Sequence, residues 1–162
     1  MKTIFRSILA LSFTALIFTS CSTPQNAMNG APAASRGKFT GIWTLTDINY
    51  DGLVENAVQN VFDQAPPAAF KGSTWNLTNS GNGIYTLANG TSQTIFWSIN
   101  SSDPKGQVFQ FKKIYQGDAP KNVTAGYQLY IGSADGSHMV LKSPVAVGNS
   151  TAYIIYAFTK TK

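Results

Sequence analysis

From Phe39 to Lys160 the chain alternates between apolar and polar residues in short runs, and glycine, asparagine, aspartate and proline separate the runs. Trp75 and Leu77 point one way, Thr74, Asn76 and Thr78 the other. Ile95, Trp97 and Ile99 oppose Thr94, Ser98 and Asn100, and Phe109 and Phe111 oppose Gln110 and Lys112. A period of two places one face in a core and the other in water, as in an antiparallel sheet or barrel. The pattern predicts about eight strands, over residues 39–48, 73–78, 84–87, 93–99, 108–114, 126–131, 138–142 and 151–160. Turn chemistry separates them: 79–83 (Asn-Ser-Gly-Asn-Gly), Asn89-Gly90, 103–106 (Asp-Pro-Lys-Gly), Asp135-Gly136 and Gly148-Asn149 all tolerate positive φ or preset a turn. The last strand carries Tyr153, Ile154, Ile155, Tyr156, Ala157 and Phe158, apolar on both faces, which predicts a cover over its outer side.

One stretch carries a different period. Val54, Ala57, Val58, Val61 and Phe62 fall at i, i+3, i+4, i+7 and i+8, the stripe of an amphipathic helix. Asp51 can cap its start and Pro66-Pro67 forbids its continuation. A helix of about ten residues between strands one and two is expected, its stripe laid on the sheet because so short a helix is marginal alone. Sequential strands at short spacing favour an all-β, antiparallel meander closed into a barrel, which removes exposed edges. A two-sheet β-sandwich is the alternative architecture.

The N-terminal text is of another kind. Lys2 and Arg6 precede a short apolar run over residues 8–18, and no further charge occurs before Arg36. A membrane-spanning helix needs roughly 18 apolar residues to cross about 30 Å of hydrocarbon. The run is too short for that and reads as a cleavable leader over residues 1–20. Small residues Thr19 and Ser20 then precede Cys21, the single cysteine, which has no internal partner for a disulfide. Residues 22–37 lack aromatics and are rich in Ser, Pro, Asn, Ala and Gly, so 21–37 reads as a flexible tether with a reach of roughly 20–25 Å. Residues 38–162 remain as one folded domain.

The net charge of +5 changes little: two of the cations lie in the leader and the others are scattered singly, apart from Lys112-Lys113. No nucleic-acid partner is expected. Catalytic chemistry finds no footing either. There is one histidine, His138, after a Gly-Ser turn, too few ligands for a metal. No Gly-x-Ser-x-Gly elbow occurs, and no glycine-rich phosphate loop. The carboxylates Asp47, Asp51, Glu55, Asp63, Asp103, Asp118 and Asp135 lie mostly at turns or on the expected helix, with Asp47 alone inside a strand. We therefore expect no enzyme, no metal and no cofactor. The abundance of rings remains: Trp75, Tyr85, Trp97, Phe109, Phe111, Tyr127, Tyr156 and Phe158 lie on strands. They are either core packing or the lining of a cavity for an apolar or ring-bearing ligand.

Two resemblances give this layout a setting. Thr19-Ser20-Cys21 resembles the lipobox of bacterial lipoproteins, with Phe18 where leucine is usual; the resemblance implies acylation of Cys21 and stable attachment to a membrane. Ser22 after the cysteine implies sorting to the outer membrane, and the lack of acidic residues over 22–25 implies a periplasmic face rather than the cell surface. Gly41-Ile42-Trp43 resembles the Gly-x-Trp signature of lipocalins, and the whole layout is similar to lipocalin-like lipoproteins of Gram-negative bacteria. In that family the tryptophan plugs the closed end of the barrel beneath an arginine of the last strand. Here Lys160 stands where that arginine would, so Gly41, Trp43 and Lys160 are the implied plug. The helix between strands one and two is similar to the lid of fatty-acid-binding proteins, which gives residues 52–71 a lid role. The implied function is a lipid-anchored envelope protein holding a small hydrophobic molecule or glycan in a barrel cavity. The alternative is a structural or protein-interaction lipoprotein with a filled core.

Overall fold

The structure, a computed structural model, describes residues 34–120 and 126–162. The leader over 1–20, Cys21 and most of the expected tether lie outside the described residues. Eight antiparallel strands close into a barrel in chain order: β1 (Gly41–Asp51), β2 (Thr74–Leu77), β3 (Asn82–Thr86), β4 (Ser92–Asn100), β5 (Val108–Lys113), β6 (Tyr127–Ala134), β7 (His138–Val147) and β8 (Ser150–Lys160). β1 pairs with β8 to complete the ring, so the sandwich alternative is excluded. Each run of alternating residues became a strand because its apolar face has an interior to enter. Trp75, Leu77, Ile95, Trp97, Phe109 and Phe111 are all buried.

Register is set by cross-strand pairs within this interior. Trp43 faces Trp75 on one side and Lys160 on the other, and Trp75 faces Tyr85. A bulge between Leu45 and Asp47 shifts the β1–β8 register by one residue. One extra residue reverses which side chains point inward. Beyond the bulge Ile48 and Tyr50 pack on the core opposite Tyr156 and Ile154, and Asp47 meets Lys71 in an exposed ion pair of 2.9 Å.

The expected helix is not there. Residues 52–62 form turns, and Asn56, Phe62 and Asp63 adopt φ of 68°, 53° and 47°, left-handed values that interrupt any α-helix. The apolar stripe is not one face: Val61 and Phe62 are buried while Val54 is 75 % exposed. Gly52, Asn56 and Asn60 are poor helix formers, and the barrel takes up Phe62 at the tip of a tight turn rather than along a helix side. The connection's single helical piece among the described residues is the 3-10 turn Pro67–Phe70, with proline at its start. The expected cover over β8 is missing too: among the described residues Tyr153, Ile155 and Ala157 are half-buried with no helix laid over them.

The two ends of the barrel are built differently. At the base, Phe39, Trp43, Trp97 and Phe109 are fully buried, and the Trp43 indole N–H donates to the Phe39 carbonyl at 2.7 Å. Both flanks of the barrel sequence are tied here. The Ile42 N–H donates to the Lys162 carbonyl, and the Ala34 N–H to the Gln107 side chain, both at 2.6 Å. Ala34 to Gly37, within the stretch read as tether, thus lie on the barrel, and Arg36–Lys38 forms a 3-10 turn. The opposite end, the mouth, carries the connection from Gly52 to Ser73 and the β3–β4, β5–β6 and β7–β8 turns.

Candidate functional site

At the base Gly41, Trp43 and Lys160 come together. Lys160 Nζ lies 5.4 Å from the centre of the Trp43 ring, an ammonium over an indole face. Gly41 has φ of 136°, and a Cβ there would stand 2.4 Å from Lys160 Cε and 2.6 Å from the Lys162 carbonyl oxygen. Any side chain would displace both the cation and the terminal ladder, so this position requires glycine. A second such contact was not foreseen: the Arg36 guanidinium sits 4.5 Å above the Trp97 ring, which stacks on Phe109 at 5.6 Å.

The eight aromatic candidates all meet in the interior, and they fill it. Trp75 and Tyr85 stack at 4.7 Å, Phe111 lies 5.5 Å from Trp75 and 5.0 Å from Tyr127, and Phe158 meets Trp75 edge-on at 5.8 Å. Trp97 and Phe109 belong to the base, whereas Tyr85, Phe111, Tyr127 and Tyr156 belong to the mouth half. Trp97, Phe109, Phe111, Tyr85 and Tyr156 are essentially fully buried, Trp75 and Phe158 nearly so, and Tyr127 is half-buried.

At the centre of the mouth half stands a ninth ring, Phe62. Its centroid lies 5.1 Å from Phe111, 5.2 Å from Phe70, 5.5 Å from Tyr127, 5.7 Å from Tyr156 and 6.3 Å from Trp75, edge-on to all but Tyr156. Edge-to-face packing at this spacing is favourable for aromatic pairs. The ring enters from above, on a turn closed by the Val61 N–H donating to the Ala65 carbonyl at 2.8 Å. Sequence reasoning placed Phe62 on a helical stripe and missed it as a site residue.

The turn is latched by side chains of the wall. The Tyr127 hydroxyl donates to Asp63 Oδ2 at 2.7 Å, and the Tyr85 hydroxyl donates to Gln64 Oε1. Lys113 Nζ donates to the Asp63 carbonyl at 3.3 Å. Lys113 is the second residue that sequence reasoning missed, although the signal was present: it continues the inward parity of Phe109 and Phe111 on β5. It is 9 % exposed and forms no ion pair among the described residues. Burial pulls its ammonium below the usual lysine range, and the Asp63 charge opposes that only in part. The phenols move the other way. Burial, with Tyr115 adding, pushes Tyr85 above the usual phenol range. Burial and then the bond to Asp63 raise Tyr127. Burial, with Tyr50 adding, raises Tyr156. At neutral pH all three are hydroxyl donors. Among the described residues the Tyr156 hydroxyl, packed beside Phe62, has no hydrogen-bond partner, nor has the indole N–H of Trp97. A buried polar atom without a partner costs about 1–3 kcal/mol.

No family model and no curated protein matches this chain. Its chemistry must be read from its own geometry. Among the described residues no group of His, Cys, Asp and Glu is arranged to hold a metal ion, and His138 stands exposed, 3.6 Å from Asp135. Also among them, no helix is long and apolar enough to cross a membrane. A groove of about 390 Å³ lies on the outer wall of β4, β5 and β6, lined in part by Phe96, Ser98, Gln110, Lys112 and Gln128. What the mouth offers is a socket of rings with a ring already in it, three phenolic donors and one buried ammonium.

Proposed function

We propose that this chain is a lipid-anchored envelope protein, attached through Cys21, whose barrel takes up a small apolar, ring-bearing molecule at its mouth. The observation that carries the reading is Phe62. A core ring is normally held by regular structure, whereas this one hangs from a left-handed turn inside a long connection (φ 53°) and is fixed by a few polar contacts. A bulky residue with positive φ is uncommon, costs on the order of 1–3 kcal/mol, and is concentrated at ligand clamps and switches. Phe62 is therefore read as a stopper that yields its place to a ligand, and the connection from Gly52 to Ser73 keeps the lid role without a helix. The Gly41, Trp43 and Lys160 plug supports kinship with lipocalin-like lipoproteins, and Ser22 supports the outer membrane with the domain on the periplasmic side.

Native mass spectrometry of the protein purified from its own host's membranes tests both halves of the reading. A chain beginning at acylated Cys21 and carrying a releasable small molecule is the expected result. An unmodified Cys21 would remove the anchor, and a protein empty in every preparation would remove the ligand. A second reading rests on the groove outside β4–β6. If the interior is simply a core, that mixed aromatic and amide surface is where an envelope partner or glycan would dock, and Phe96→Ala would abolish capture of that partner while Phe62→Ala would not.

A further inference from the structure

The segment that fills the mouth has a definite chemistry, and that chemistry defines what could replace it. The Phe62 ring occupies the aromatic socket, the next residue places a carboxylate oxygen 2.7 Å from the Tyr127 hydroxyl, and its carbonyl oxygen lies 3.3 Å from Lys113 Nζ. Ring, short spacer and acid follow one another from the floor of the socket to its rim. The wall supplies the complement of each: apolar rings below, a phenol donor and an ammonium above. We propose that Phe62-Asp63 is an internal mimic of the ligand, and that the mouth binds a small carboxylic acid bearing a compact planar ring. This rests on the reading of the mouth as a ligand site and narrows it to a substrate class.

Two features argue against plain packing. Lys113 is nine-tenths buried on an inward strand position, yet its hydrogen-bond acceptor among the described residues is a neutral carbonyl, and the Tyr127 ring 5.9 Å away and the Asp63 charge compensate it only in part. A buried ammonium that makes no ion pair is costly, and a hydrophobic residue would pack there better. A ligand carboxylate arriving at the rim would supply the missing charge. The Tyr156 hydroxyl, buried and without a partner at the side of the socket, favours a ring with a polar substituent over a bare hydrocarbon. Straight acyl chains fit less well, because the rings around Phe62 stand mostly edge-on and enclose a flat guest.

The test uses the full chain in lipid nanodiscs and two probes of the same shape, 3-phenylpropanoate and 3-phenylpropan-1-ol, measured by titration calorimetry against empty nanodiscs. Phe62→Ala vacates the socket and is expected to bind the acid on the order of tenfold more tightly than the alcohol, the usual range for one charge-assisted hydrogen bond. Lys113→Met in that background is expected to abolish the preference while the alcohol still binds. The unaltered chain should bind both probes more weakly, because Phe62 competes. Should Phe62→Ala fail to fold by near-ultraviolet circular dichroism, Asp63→Ala, which frees the Tyr127 hydroxyl while Phe62 stays in the socket, is expected to show the same preference at weaker affinity. Equal binding of acid and alcohol overturns the acid inference and leaves the socket standing. Folded variants that bind neither probe overturn both.

Discussion

The base and the mouth of this barrel are closed with the same material, aromatic rings, and by opposite means. At the base the two indoles are capped by cations and the flanking backbone is tied down around them. Trp43 bonds to the Phe39 carbonyl, Lys160 lies over its face, and the residues flanking the barrel sequence at either end bond to the strands around it. At the mouth the rings surround a guest delivered by a connection with three left-handed residues, and a buried ammonium and an unpartnered hydroxyl remain beside it. Packing and two surface cations account for the base. They do not explain a lysine inside the mouth, and that difference is what directs a functional reading to one end.

The comparison breaks most sharply at Trp43. Trp43→Ala is expected to destabilise the barrel by about 3–5 kcal/mol, as for a large buried side chain with no room to collapse. Phe62→Gly is expected to cost only about 1–2 kcal/mol in chemical denaturation, since it also relieves the strain of a Cβ at positive φ. Equal losses at the two positions would mean that Phe62 is ordinary core. Gly41→Ala is expected to cost about 2 kcal/mol or more from its φ of 136° and the clash with the Lys162 carbonyl. Lys113→Met is expected to leave the melting temperature unchanged or raise it by a few degrees, because a buried, only partly compensated ammonium is replaced by an apolar chain of similar length. A marked loss of stability would show that the ammonium is already compensated.

The smallest effect concerns alkali. Tyr85 and Tyr156 have folded-state values above the 10.0 of an exposed phenol, so the folded state holds those protons more tightly than the unfolded chain. Their contribution is complete below about pH 10 and falls as pH rises from there toward the folded values. Urea midpoints measured from pH 9 to 11.5 should therefore decline, and Tyr156→Phe should decline less while starting no less stable, its lost hydroxyl having had no partner.

The strands were legible because a period of two is a local property that burial enforces. Every predicted strand has its counterpart within a few residues, and the inward side of β5 follows from Phe109 and Phe111. The same parity carries Lys113 inward, a consequence not drawn when Lys112-Lys113 was counted only as adjacent cations. The stretch 54–62 misled for a physical reason: apolar spacings of three and four also arise when a chain doubles back, and what decides between turn and helix is a socket built by strands far along the sequence. The contact of Arg36 with Trp97 was equally beyond local reading, since it exists only once the N-terminal flank lies down on the base. The plug of Gly41, Trp43 and Lys160 was named only through the resemblance to the lipocalin signature, since the pairing of strands so far apart in the chain is not a local property.

That N-terminal flank has one more consequence, which concerns direction. Ala34 is bound at the base, beside Gln107, on the side opposite the connection from Gly52 to Ser73. On the proposed reading, a lipid on Cys21 would join the barrel from its base end, leaving the mouth at the far end, open to guests from the aqueous compartment.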